Sequence, residues 1–276
     1  MSYDPATRSM LLFSGVTWEG PICPNTYGNH IFQDMWSWDG ARWTQLHPTA
    51  LPPGRSGGAM AYDEARKTTI LVGGGDPNSD PMRFDTWTWR GGSWTDVTVA
   101  ENPTAAPMVY DPALGSLVLY NAGILTWDGS TWVDQHAARQ PDGSVAVVAY
   151  DTANKKLLVY LTGCPGVTGT WTWDGNNFRE EHPAHHPPIG CPNVVFDPAR
   201  GVVVAFVAGE TWTWNGSDWT QQHPPTAPMP RYFAPMAYDP ALGQVLLFGG
   251  KVDARPNTRL NNELWGWDGT TWTRLA

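Results

Sequence analysis

Two hydrophobic patterns alternate along this chain. One is a short continuous apolar run, such as Leu246-Leu247-Phe248, of the kind that forms a strand covered on both faces. The other is Trp-x-Trp, a period-two pattern that puts both rings on one face of a strand. Together they form a unit that recurs six times: Met-Ala-Tyr-Asp-Pro, the apolar run ending near Gly-Gly, then Trp-Thr-Trp-Asp-Gly-x-x-Trp. Its aromatic anchor falls at Tyr3, Tyr62, Tyr110, Tyr150, Phe196 and Tyr238, at spacings of 59, 48, 40, 46 and 42 residues. A period of 40–50 residues with several short strands per unit predicts an all-β, six-bladed β-propeller with four antiparallel strands per blade.

The predicted blades cover approximately 1–47, 55–98, 104–135, 144–181, 190–222 and 231–276, within a single domain of residues 1–276. Strand A ends at the Tyr, as in Gly58–Tyr62. Asp-Pro follows in four units and suits a type I turn, with Asp accepting backbone bonds and Pro presetting φ. Strand B is the apolar run, strand C is Trp-x-Trp, and strand D opens at the third Trp. Between C and D stand Asp39-Gly40, Asp128-Gly129, Asp174-Gly175, Asn215-Gly216 and Asp268-Gly269, which predict two-residue primed turns. Strand A of blade one is shortened, because Met1 already occupies a repeat position. Each blade reads as one uninterrupted unit, with none shared between the chain ends.

Composition fits this reading. Of the 17 Trp, all but Trp18 are in repeat phase, as flat fillers between stacked sheets should be. The 41% hydrophobic content suffices for a core. The net charge of −9, with no Lys or Arg cluster, argues against nucleic acid and anionic membrane surfaces as partners. No apolar run approaches the ~20 residues of a membrane span. The start, MSYDPATRSM, lacks a signal pattern, so the chain as written is placed in the cytoplasm. A segment upstream of Met1 would leave secretion open as the alternative. A monomer is expected, and the three Cys cannot all pair within one chain.

This pattern resembles kelch repeats, as in the central propeller domain of galactose oxidase and bacterial kelch-like proteins. The marks are Gly73-Gly74 and Gly249-Gly250 after strand B and the in-phase Trp of strand D. The resemblance implies the propeller and leaves function open, since kelch propellers include scaffolds, binders and enzymes. Galactose oxidase takes copper partly from a domain beyond its propeller, so that chemistry does not carry over. The iron motif of the kelch nitrile-specifier proteins, Glu-x-x-x-Asp-x-x-x-His, starts at none of the seven Glu. No P-loop and no Gly-x-Ser-x-Gly occurs.

Candidate chemistry lies where the repeat is broken. The A–B turns are short and uniform. On the opposite face, the B–C connections are long in blade one (Val16 to Gln33), blade two (Asp76 to Phe84) and blade six (Lys251 to Asn262). They nearly vanish in blades three and five. The long ones are read as irregular loops forming a wall over the channel mouth, where function usually sits. Blade one supplies Trp18, Glu19, Cys23, Tyr27 and His30, and blade two Asp76, Asp80 and Arg83. Blade six supplies Arg231, Tyr232, Phe233, Lys251, Asp253, Arg255 and Arg259. Aromatics, carboxylates, a His and several Arg suit a small polar or anionic ligand, or a peptide or glycan. An enzyme without a cofactor would use Glu19 and His30 as acid and base, with Asp76 or Asp80 nearby. A glycan-binding lectin ranks third, because it would repeat one loop chemistry in every blade. His185-His186 with Cys164 and Cys191 matches no zinc spacing, so neither metal nor cofactor is expected. Pairing of Cys164 with Cys191 stays open.

Overall fold

A computed structural model describes residues 1–276 except 24–25, 77–78, 100–101, 122, 138–140, 142–145, 163–167, 191 and 255–256. For 18–23, 26–29, 79–81, 146, 168, 253–254 and 257–259 it describes the backbone alone. The described chain is all-β, with six blades of four antiparallel strands, the β-propeller class.

Two compact units divide it. Met1–Tyr110, Gly115–Asn121 and Leu125–Asp134 form one; Asp111–Leu114, Ala122–Ile124 and Gln135–Ala276 form the other. In the first, blade one comprises Ser2–Asp4, Ser9–Cys23, Thr26–Trp38 and Trp43–Leu46 as strands A to D. Blade two comprises Ala59–Asp63, Thr68–Val72, Thr86–Arg90 and Ser93–Asp96. Blade three comprises Met108–Asp111, Ser116–Tyr120, Ile124–Trp127 and Trp132–Asp134, of which Asp111 and Ile124 fall in the second unit. In the second, blade four comprises Ala146–Asp151, Lys156–Thr162, Thr168–Trp173 and Phe178–Glu181. Blade five comprises Asn193–Asp197, Val202–Val207, Glu210–Trp214 and Trp219–Gln222. Blade six comprises Met236–Asp239, Gln244–Phe248, Leu264–Trp267 and Trp272–Arg274. Every four-stranded sheet is drawn from one consecutive stretch of chain.

Strand B is buried on both faces, throughout Thr68–Val72 for example, which is why it reads as a continuous apolar run. Strand D is an edge. In Ser93–Asp96 only Trp94 is buried, and polar residues face outward. The tryptophans act at two levels. Within a blade, the second Trp of strand C meets the first aromatic of strand D, at ring centroids of 5.5 Å for Trp38–Trp43 and 5.4 Å for Trp89–Trp94. Between neighbouring blades, the strand D indole N–H donates to the residue before the first Trp of the preceding strand C. Trp132 reaches Thr86 Oγ1 at 3.3 Å, Trp219 reaches Thr170 Oγ1 at 3.0 Å and Trp272 reaches Thr211 Oγ1 at 2.8 Å. Trp94 donates to Met35 Sδ at 3.3 Å. The in-phase tryptophans Trp89 and Trp214 are 5% and 1% exposed.

The A–B turns use their Asp as expected. In all six blades the Asp carboxylate accepts the N–H two residues on, as Asp4 does from Ala6 and Asp239 from Ala241. The C–D turns differ from the expectation. Asp39 is not a central turn residue: its N–H donates to Arg42 O at 3.3 Å, and its carboxylate accepts from Ala41 and Arg42. Positive φ is confined to Gly40, at 96°. The carboxylate replaces a main-chain acceptor, so Asp works from the flank while Gly alone adopts the unusual backbone.

Candidate functional site

The three long B–C connections are hairpins, not the irregular loops expected. Blade one's strands B and C run on as a ribbon to Cys23 and Thr26, with a bulge between Phe13 and Gly15. Blade two carries Gly75–Asp76 against Ser79–Met82, and blade six carries Lys251–Ala254 against Asn257–Leu260. In blade five the same connection is Ala208-Gly209 alone, since Val207 already pairs with Glu210.

At its root, each hairpin meets a segment entering a strand A: that of blade two for the hairpin of blade one, and that of the same blade for blades two and six. Ser14, with φ of 59°, places its hydroxyl 2.6 Å from Phe32 O and 2.8 Å from Arg55 O, and accepts the Arg55 N–H at 2.7 Å. Ser56 bridges Gly75, and Arg231–Tyr232 pairs with Val252 and Lys251, which makes a three-stranded sheet in blade six. The close approach at Gly250 excludes any side chain: a Cβ there would stand 2.8 Å from Ala234 Cβ and 2.9 Å from Tyr232 O.

Under these roots lie two buried guanidinium groups. Arg55, 2% exposed, donates to Pro53 O, to Gly73 O at 2.7 Å and to both Asp85 oxygens at 2.5 and 2.7 Å. Arg231, 1% exposed, donates to Met229 O, to Gly249 O at 3.0 Å and to Glu263 Oε2 at 3.0 Å. Burial pushes the Asp85 carboxyl up, but hydrogen bonds from Arg55 and Trp87 outweigh it and leave it below the usual range. Glu263 follows the same logic. Burial raises it, and bonds from Trp265, Arg231 and Asn261 with the Arg274 charge bring it down to about 2. Arg231 therefore departs from its expected role on the loop surface. Its donors are spent on two carbonyls and a carboxylate inside blade six, so it fastens the hairpin root.

The other predicted residues fall as follows. His30 is exposed, with its ring edge-on to Phe32 at 4.9 Å. It stands opposite Thr17 in the ribbon, and Glu19 opposite Gly28, so the two occupy diagonal positions. Asp76 and Arg83 are half-buried in blade two's extension, and Arg83 Nε is a buried donor with no partner among the described residues. Tyr232 and Lys251 are half-buried and face each other across blade six's small sheet. Phe233 is 74% exposed at a φ of 57°. The side chains of Trp18, Glu19, Cys23, Tyr27, Asp80, Asp253, Arg255 and Arg259, with Cys164 and Cys191, lie outside the described residues. His185 is engaged elsewhere: its Nδ1 lies 2.8 Å from Asp218 Oδ2, which with the His185 N–H holds that carboxyl low. Among the described residues, no group of three or more His, Cys, Asp or Glu is arranged to hold a metal.

Sequence reasoning missed the carboxylates two residues before the first Trp of strand C. Asp34, Asp85, Glu210 and Glu263 each accept the indole N–H two residues on, from Trp36, Trp87, Trp212 and Trp265 at 2.8–3.0 Å. The signal was an acid at x in x-y-Trp, four times in phase. A separate cavity of about 80 Å³ opens between blades four and five at the turn end, lined by Asp151, Asn154, Lys156, Thr172, Trp214 and neighbours.

No family model matches this chain, and no curated protein matches it. Solved structures do match. The protein YjhT is 14% identical, with a TM-score of 0.61 over 87% of this chain and 90% of its own. A protein provisionally described as a gluconolactonase is 12% identical, with a TM-score of 0.57 over 99% of this chain and 88% of its own. At these identities the likeness concerns the fold: the chain is a six-bladed β-propeller. Among the described residues, no helix is long and apolar enough to cross a membrane.

Proposed function

We propose that this chain is a binding propeller of kelch-like type that takes a small polar or anionic ligand on its hairpin-bearing face. One observation carries the reading: a connection that in blade five is a two-residue turn is a hydrogen-bonded hairpin in blades one, two and six, and two of the hairpin roots are fixed by buried Arg–carboxylate pairs. Rigid projections on a rigid scaffold lower the ordering cost of holding a ligand. In this reading the described ligand contacts are Asp76 and Arg83 on blade two's hairpin and Tyr232, Phe233 and Lys251 at blade six's. Trp18, Tyr27, Asp80, Asp253 and Arg255 complete the set. The kelch likeness rests on the glycine pairs, where Gly73-Gly74 and Gly249-Gly250 all take positive φ.

The test is a thermal-shift screen of small metabolites on the intact chain. It is repeated after residues 252–259 are replaced by Ala-Gly, the connection blade five uses. Hits should vanish with the hairpin. Hits that survive its removal refute the reading.

An acid–base enzyme on the same face is the second reading. The diagonal placement of Glu19 and His30 and the description of one structural neighbour favour it. Turnover of sugar lactones lost in His30→Ala would establish it.

A further inference from the structure

Phe233 breaks a rule that the chain sets for itself. Arg55-Ser56-Gly57-Gly58 and Arg231-Tyr232-Phe233-Ala234 occupy equivalent places in blades two and six. Each Arg reaches the carboxylate two residues before a Trp, and each following residue meets its blade's hairpin. The third residue is left-handed in both, with φ of 69° at Gly57 and 57° at Phe233. The backbone there asks for glycine. A bulky side chain in that region is an outlier, because its Cβ crowds the neighbouring carbonyl. Packing does not offset the strain, since the ring is 74% exposed. A strained, exposed aromatic on a rigid frame has the character of a ligand contact.

Its surroundings narrow the chemistry. Tyr232, Lys251 and Leu260 lie opposite one another across blade six's three-stranded sheet. The adjacent row contains Arg231 and Val252, which are 1% and 5% exposed, so the first row turns outward. Leu260 is 42% exposed, and Met229, just before Arg231, 57%. Among the described residues this row is apolar and aromatic, with the Tyr232 hydroxyl and the Lys251 ammonium as its polar groups. A flat aromatic ring can lie on such a face with none of its own polar groups left unpaired.

Resting on the ligand-binding reading above, we propose that Phe233 is the stacking platform of the site and that the ligand is an aromatic anion. Its ring lies on Phe233, and its anionic group is drawn to the Lys251 ammonium.

The experiment titrates naphthoate, naphthol and glucuronate into the intact chain, followed by ligand-detected NMR. Wild type should bind naphthoate. Phe233→Gly should weaken it roughly tenfold or more, while its Tm stays equal to or above wild type. Phe233→Leu keeps apolar bulk without a flat face and should weaken it too. Lys251→Met should weaken naphthoate and leave naphthol unchanged. The proposal is overturned if naphthoate does not bind, if Phe233→Gly binds it equally, or if that variant's Tm falls. It is likewise overturned if only glucuronate depends on Phe233. Should screen hits depend on the hairpin but not on Phe233, this inference fails alone. Dependence on neither sinks both readings.

Discussion

Arg231→Met removes a buried cation whose partners stay behind, and the same change at Arg55 provides an internal control. Breaking a buried ion pair from one side costs ~3–5 kcal/mol, because the remaining charge loses its compensation. The two sites should differ in order. After Arg231→Met, Glu263 keeps bonds from Trp265 and Asn261 and the ion pair with Arg274 at 3.1 Å. After Arg55→Met, Asp85 keeps only the Trp87 indole among its described side-chain partners. Arg55→Met should therefore lie near ~5 kcal/mol and Arg231→Met near ~3, as read from urea midpoints at constant m-value. The pH dependence carries a sign. Glu263 has a folded pKa of about 2 against an ordinary 4.5, so its stabilisation is complete above 4.5 and is lost as pH falls towards 2. Arg231→Met raises the folded value, so the variant's stability should fall less across that window. A Tm within a degree of wild type for both variants, or the reverse order, would refute the account of the hairpin roots.

Three further outcomes follow from particular contacts. Asn154→Arg should stabilise by about 1 kcal/mol in urea unfolding, since Arg66 and Arg200 already lie against Gly129 and Gly269 where Asn154 lies against Gly216; a loss would mean that the cavity is not a guanidinium slot. Asp239→Asn keeps an acceptor for Ala241 and Leu242. Burial raises the Asp239 carboxyl above 3.8, so the fold favours its neutral form; that contribution is full below 3.8 and is lost as pH rises through the folded value. The variant should be the more stable at neutral pH, with the gap closing in acid, and a constant gap argues against it. Trp272→Phe leaves Thr211 Oγ1 without its donor and should cost about 1–3 kcal/mol by calorimetry; no change would mean that the bond between blades is not a tie.

How much of this the sequence disclosed depends on whether a residue obeys a period. The Trp positions were legible because each lies on a half-buried strand, where period two and the blade repeat must agree. The hairpin of blade one was not. A ribbon that leaves the blade has no core face to impose alternation, and Gly20, Pro21 and Pro24 read as breakers. Arg231 was misplaced because an arginine before a strand ordinarily faces water, and its partner Glu263 lies 32 residues away. Arg55 stands at the same repeat position, and the acid two residues before the first Trp of strand C recurs in phase. Comparing the two would have revealed the pairing. The side chains at the tips obey no repeat, and sequence alone could place them only as a group.

A chain built from six versions of one unit supplies its own reference for each position. Where blades agree, as at the Asp of the A–B turn, physics of the turn explains the residue completely. Where they differ, the direction of the difference is informative. Asn154 in place of Arg66 or Arg200 loses a long side chain at the turn end and leaves a cavity, so the departure lowers packing and adds nothing to the hairpin face. Phe233 in place of Gly57 goes the other way, adding a large exposed ring where the backbone disfavours one. Relaxed packing needs no selection to persist, because most substitutions destabilise and only those below the folding threshold are removed. A strained and solvent-facing aromatic has no such default. The same argument ranks the two ends of the blades: variation at the turn end should move stability alone, and variation of exposed residues at the hairpin end, such as Phe233, should move binding with stability unchanged or improved.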